Sequence, residues 1–179
     1  LKAKNDPEIE SLPNNGKWLI FHNLGEVYEN LNELDSAMYY GKLIDTSCRK
    51  LNIPIEVSYA NAVMGRVEKK RKNYPQALHY LRTAISFSNK FGNPFLETEQ
   101  SVDLAGIFQA MNQPDSAIFY AEKALAGGRQ FKNLVLTISA AKILAQIYEH
   151  KNPDKAIYYL KIVNASNDSL YTTSRIFQT

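Results

Sequence analysis

Ala37-Met38-Tyr39-Tyr40 returns as Ala77-Leu78-His79-Tyr80, as Ala117-Ile118-Phe119-Tyr120 and as Ala156-Ile157-Tyr158-Tyr159, with the alanines 40, 40 and 39 residues apart. Each block is a small residue, an apolar one, a variable one and a tyrosine. A fixed period of this size is the mark of stacked supersecondary units and not of one core assembled from unrelated segments. Such stacks present long continuous surfaces, so the period points to binding and leaves the ligand unnamed.

Outward from the alanines, a second block recurs as Cys48-Arg49-Lys50-Leu51, Ser88-Asn89-Lys90-Phe91 and Gly128-Arg129-Gln130-Phe131. Asn52-Ile53-Pro54, Gly92-Asn93-Pro94 and Lys132-Asn133-Leu134 follow, where proline and glycine end one helix and let the next begin. Upstream of the first alanine, Phe21, Leu24, Val27 and Tyr28 fall on one helical face. Met64-Gly65, Leu104-Ala105 with Phe108, and Leu144-Ala145 with Tyr148 are the counterparts. Asp35, Asp115 and Asp154 stand two residues before their alanines, where an acid suits the positive helix end. Pro75 takes that place in the second repeat, where its fixed φ suits a first turn.

These signals predict first helices near 17–31, 55–72, 95–112 and 134–150, and second helices near 35–51, 75–91, 115–130 and 154–164. The stretch from Tyr148 to Ala156 is one residue short, which predicts a tighter last turn. Gly25, Gly65, Ala105 and Ala145 are expected where a first helix crosses its partner closely, with Ala84 and Ala124 on the matching face. Ile44 and Val163 replace them in the outer repeats. Gly127-Gly128 is expected to fray or bend its helix. The four tyrosines of the period are expected to pack between successive repeats, hydroxyls reaching the edge.

The composition sets bounds. The 179 residues carry 45% apolar and 22% charged side chains, as a folded chain does, and a net charge of +3 with both signs interspersed. A nucleic-acid footprint needs basic residues clustered on one face, and that class is set aside. The single cysteine, Cys48, excludes an intrachain disulfide. No stretch approaches the roughly 20 apolar residues of a membrane span. The chain begins at Leu1 and not at methionine, so it reads as an excised fragment and a missing leader carries no weight.

Phe21, Leu24, Gly25, Tyr28 and Ala37, and again Leu104, Ala105, Phe108, Ala117, Tyr120 and Ala124, resemble the tetratricopeptide repeat, which pairs a Trp-x-x-Leu-Gly-x-x-Tyr pattern with a later alanine, an aromatic and another alanine. The second repeat departs from it, with Glu68 where an aromatic is expected. The unit here is 40 residues and not the usual ~34, similar to the long-helix kinesin light chain type. The resemblance implies an all-α, right-handed superhelical solenoid of about four helix-turn-helix repeats plus a C-terminal helix. Its divisions are a lead-in or repeat remnant over 1–16, repeats over 17–54, 55–94, 95–133 and 134–164, and a capping or connecting helix over 165–179. The tail, Tyr158-Tyr159-Leu160-Lys161 and then Asn167-Asp168-Ser169-Leu170-Tyr171, resembles the end of repeat arrays in sensor proteins of Bacteroidetes-type bacteria. That resemblance implies an extracytoplasmic sensory region of a two-component histidine kinase or transcriptional regulator. A connecting helix then starts at Asp168 as N-cap, with Leu170, Ser174 and Phe177 on one face. A plain capping helix over the last repeat is the other reading, and a cytoplasmic scaffold or adaptor is the other role.

No catalytic, cofactor or metal constellation stands out. His22, His79 and His150 fall in different repeats without ligand-spaced partners. Gly127-Gly128 lacks the lysine of a phosphate loop, and no Gly-x-Ser-x-Gly elbow occurs. Cys48 shares its register with Ser88 and Gly128 and reads as a small packing residue. What remains is a binding face. By the resemblance, first helices line the concave groove, which places His22, Asn23, Glu26, Tyr59, Arg66, Lys69, Lys70, Glu99, Asp103, Gln109, Lys142 and Gln146 in it, with Glu149 beside them. Arg66, Lys69 and Lys70 share one helical face, read either as a clamp for an acidic peptide or as a solvated helix end. The expected partner is a protein or peptide, with no nucleic acid, with a membrane only through a span elsewhere in a parent chain, and with a homodimer allowed.

Overall fold

The computed structural model describes residues 14–176. The expected lead-in over 1–16 falls outside them except for its last three positions, and Phe177 falls outside them altogether. Among the described residues there are eight helices: α1 (Asn14–Asn30), α2 (Leu34–Lys50), α3 (Pro54–Lys70), α4 (Tyr74–Lys90), α5 (Pro94–Ala110), α6 (Pro114–Gln130), α7 (Leu134–Tyr148) and α8 (Pro153–Ile176). The protein is all-α. The chain divides between Gly92 and Asn93 into two compact units. In each unit every helix packs on the next, and the two first helices also touch, α1 with α3 and α5 with α7. No helix among the described residues is long and apolar enough to cross a membrane.

The period has a finer grain than the alanines show. Each of α1–α6 is 17 residues long and is followed by three connecting residues. The middle connecting residue lies in the left-handed region every time: Asn32, Asn52, Lys72, Gly92, Asn112 and Lys132, with φ from 53° to 63°. Around it, in every turn but the one at Gly92, the backbone closes a Schellman motif,. In the first turn Glu33 N–H donates to the Tyr28 carbonyl at 2.8 Å and Asn32 N–H to that of Glu29 at 3.1 Å. In the last of them Asn133 and Lys132 do the same to Gly128 and Arg129 at 2.8 and 3.1 Å. The forty-residue repeat is therefore two twenty-residue frames. Proline at the first or second helical position, as in Pro54, Pro75, Pro94 and Pro114, starts the following helix because its missing N–H is an orphan there anyway.

The last turn differs from its expectation. The missing residue does not tighten it. Instead α7 stops at 15 residues, four residues connect it to α8, and Asn152 N–H closes on the Tyr148 carbonyl at 2.8 Å. The left-handed residue of the other turns is absent here. Nor does a new helix begin at Asp168. α8 runs unbroken for 24 residues, and Thr172 Oγ1 donates to the Asp168 carbonyl at 2.9 Å as in any helix interior.

The cores are built on small residues. In the C-terminal unit Ala105, Ala121, Ala124, Ala140 and Ala141 are fully buried around Leu144, Tyr159 and Val163. Three of the period's four tyrosines stack within their own hairpin: Tyr40 on Tyr28 at 5.7 Å, Tyr120 on Phe108 at 5.5 Å and Tyr159 on Tyr148 at 5.9 Å, all within 13° of parallel. The expected hydroxyl at the edge fails for Tyr40, whose oxygen is buried and makes no hydrogen bond among the described residues.

The small-residue expectation holds unevenly. A Cβ on Gly65 meets Leu81 at 2.8 Å, whereas one on Gly25 meets Val63 no closer than 3.6 Å. Gly127 and Gly128 do not fray α6, which runs on to Gln130. They let it approach its neighbours, since a Cβ on Gly127 strikes Thr98 and one on Gly128 lies 2.9 Å from the Thr137 nitrogen.

Candidate functional site

In the N-terminal unit α1 and α3 bring a row of polar side chains to one face. His22, Glu26 and Glu29 recur along α1 at helical spacing, and Tyr59, Arg66 and Lys70 come from α3. The His22 ring meets the Tyr59 ring edge-on at 4.7 Å, and its Nε2 lies 3.6 Å from a Glu26 oxygen. Arg66 joins the helices: its Nε donates to Glu29 Oε2 at 2.8 Å and its Nη2 to Glu26 Oε1 at 3.1 Å. Lys70 Nζ sits 2.7 Å from Glu29 Oε1 and also donates to the Glu29 carbonyl.

Glu29 is the hub, with only 6% of the residue exposed. Burial by itself pushes its carboxyl up, but Arg66 and Lys70 outweigh it and hold the group below the ordinary carboxylate range,. His22 goes down as well. Burial is the main cause, the Glu26 carboxylate opposes it and Arg66 reinforces it. The pair of cations also answers a local problem, because Glu26 and Glu29 lie in the last turns of α1, where the helix dipole disfavours negative charge.

A second network lies beside the first. Buried Glu68, which holds the expected aromatic position of α3, accepts from Arg71 Nη1 at 2.9 Å and from Asn73 Nδ2 at 2.7 Å. Arg71 reaches on to Asp35 at the start of α2.

The C-terminal unit repeats the frame in neutral form. Gln109 Nε2 on α5 donates to Gln146 Oε1 on α7 at 3.0 Å. Glu99 and Asp103 are half-buried on α5 and each makes an interaction of its own, while Lys142 and Glu149 are exposed. In the N-terminal unit Asn23 is exposed and Lys69 half-buried.

The structure thus gathers His22, Glu26, Tyr59, Arg66 and Lys70 in one unit and joins Gln109 to Gln146 in the other. It also changes the meaning of the basic run, since Arg66 and Lys70 are already held by Glu26 and Glu29. Glu29 escaped the sequence reading. Its signal was present: Glu29 and Arg66 are separated by 37 residues, and so are Gln109 and Gln146.

The chemistry of the face is that of fixed hydrogen-bonding groups. Among the described residues no three His, Cys, Asp or Glu side chains are grouped to hold a metal ion. Cys48 is fully buried, and burial pushes its thiol up to about 12, far from the thiolate that reaction needs. Neither a protein-family model nor a curated protein matches the chain.

Proposed function

We propose that the chain is a helical-repeat module of the tetratricopeptide kind that binds a segment of a partner protein on its first-helix faces, and that it is not an enzyme. The Arg66 network is the observation that carries this reading. It holds Glu26, Glu29 and Lys70 in set positions, so their geometry is in place before a ligand arrives, which lowers the ordering cost of binding. Glu26 keeps 44% of its side chain exposed, and exposed Asn23 follows half-buried His22, whose ring meets that of Tyr59. The same register carries Gln109 and Gln146 in the other unit. A constant scaffold with a changing first-helix face is what a partner-reading repeat protein requires.

The larger role we propose is the sensory region of a bacterial signal-transduction protein, a two-component histidine kinase, facing the extracytoplasmic side. Its support is the resemblance of the tail. A membrane span followed by a kinase domain in the parent gene supports this role, and a parent gene without a span favours the adaptor role.

The binding reading is tested by selecting a random peptide library on the immobilised chain. Peptides enriched on the native chain should lose binding on an Asn23→Ala, Glu26→Gln, Tyr59→Ala variant and keep it on Arg82→Ala, Thr83→Ala, two positions on α4. Enrichment that ignores the first-helix changes removes the reading.

A further inference from the structure

The end of α6, the start of α7 and the middle of α8 border an open cleft of about 570 Å³ in the C-terminal unit, lined by Leu134, Thr137, Ile162, Ala165 and Ser166, with Arg129 and Lys132 beside them. The corresponding place in the N-terminal unit is filled. There Phe87 and Ile53 pack against the cluster that includes Cys48, Val57 and Ala60. Arg49 lies over the Phe87 ring, 5.1 Å from its centre, and its Nε donates to both oxygens of Asp45 at 3.1 and 3.0 Å. One guanidinium thus holds an aromatic ring and a carboxylate together.

The repeat register shows what the C-terminal unit keeps and what it drops. Arg49 becomes Arg129, so the cation is retained. Phe87 becomes Ser166, Ile53 becomes Asn133 and Val57 becomes Thr137, so the ring and its apolar seat are gone. Asp45 becomes buried Leu125, so the carboxylate is gone too. Ser166 is 8% exposed and makes no hydrogen bond among the described residues. Arg129 and Lys132 have no ion pair or ring partner among them either.

We propose that this cleft binds the C-terminal aromatic residue of a partner polypeptide. The ring enters where Phe87 lies in the other unit, and the α-carboxylate takes the role of Asp45 on Arg129, with Lys132 adding positive potential. Because ring and carboxylate must reach a single guanidinium, one residue carrying both meets the geometry. The volume exceeds that of one ring and lies within the range of ligand sites, roughly 300–1,000 Å³, which leaves room for the residues before it. The site shares α7 with the first-helix face but uses the start of that helix and not the stretch that carries Gln146, and it stands or falls separately.

The test is a titration of the 179-residue chain, observed through its backbone amide NMR signals, with the peptide Gly-Ser-Gly-Ser-Phe bearing a free carboxylate. Saturable shifts are expected at Leu134, Thr137 and Ser166. The peptide amide, the same peptide ending in alanine, and the Arg129→Gln protein should each bind at least about tenfold more weakly, the loss that goes with a charge-assisted contact or a buried ring. Ser166→Phe should rebuild the plug, raise the melting temperature and abolish binding. No saturable shift at millimolar peptide, equal binding of the amide or alanine peptide, or unchanged binding by folded Ser166→Phe overturns the proposal. If Ser166→Phe does not fold, unchanged affinity of Arg129→Gln overturns it. Free phenylalanine binding as tightly as the peptide overturns the assignment to a polypeptide end.

Discussion

Glu29 and Arg66 tie the two first helices of the N-terminal unit with an ion pair at 2.8 Å, and at the same register of the C-terminal unit Gln109 and Gln146 tie theirs with a hydrogen bond between side-chain amides at 3.0 Å. The geometry is kept and the charge is changed. The difference teaches which part of a repeat is scaffold and which is free to vary. The backbone frame requires only a donor on one helix and an acceptor on the other. The choice between charge and amide then sets the electrostatics of the face. Burial decides the energetic weight of each: Glu29 is buried while Gln146 is exposed, so the ion pair is the one whose rupture leaves an uncompensated charge.

The largest effect should come from breaking that pair. Arg66→Leu leaves Glu29 facing Lys70 alone and should destabilise the N-terminal unit by about 2–3 kcal/mol. Gln146→Leu, on an exposed bond, should change stability by about 0.5 kcal/mol or less. Urea unfolding of the two variants checks this, and equal effects would show that the register and not the charge matters.

Acid acts on the same contrast. The folded-state pKa of Glu29 is depressed, so its stabilisation is present above the unfolded pKa and is lost as pH falls through the folded value. His22 is also depressed. The unfolded chain therefore binds its proton first, and stability falls as pH drops below about 6.5. Gln109 and Gln146 do not titrate. Amide exchange should show α1 and α3 losing protection on acidification before α5 and α7. Simultaneous loss breaks the comparison.

A methyl group probes the close approach of α6 and α7. Gly128→Ala should cost about 1–3 kcal/mol by overpacking, because the Thr137 backbone nitrogen would lie 2.9 Å from the new Cβ. The same register in the N-terminal unit accommodates Cys48, fully buried. A thermal melt unchanged by Gly128→Ala would mean the two crossings are equally wide. The smallest effect should be shared by both units. Lys72 and Lys132 hold φ of 61° and 53°, which costs a residue with a Cβ but not glycine. Lys72→Gly and Lys132→Gly should each stabilise by up to about 1 kcal/mol, and a gain in only one unit would show that the turns differ as the faces do.

Much of the scaffold was legible because its signals are local. The alanine-tyrosine blocks, Pro54, Pro94 and Pro114, and the small residue at 48, 88 and 128 each report the backbone conformation of a few neighbours. They place the helix ends within about three residues of those observed, except that the last helix runs on to Ile176 and not to 164. The left-handed turns were harder to see, because Lys72 and Lys132 occupy positions that glycine or asparagine usually marks. The face was half legible. Spacing puts His22, Glu26, Arg66 and Lys70 on helix surfaces, but it does not tell whether a cation meets solvent or a carboxylate 37 residues away. Gly127 and Gly128 were misread for the same reason: glycine in a helix reads as weakness until Thr98 and Thr137 are seen against it.

By itself the sequence determined the number of helices per repeat, the period and the all-α class, since periodic burial and turn chemistry act over a few residues and repeat with the chain. Only the tertiary structure decided which charges are paired, which rings stack and which register position is plugged by Phe87 or left open beside Ser166. Those outcomes depend on distances between residues far apart in sequence, and a side chain's partner, unlike its helical propensity, is not written in its neighbours.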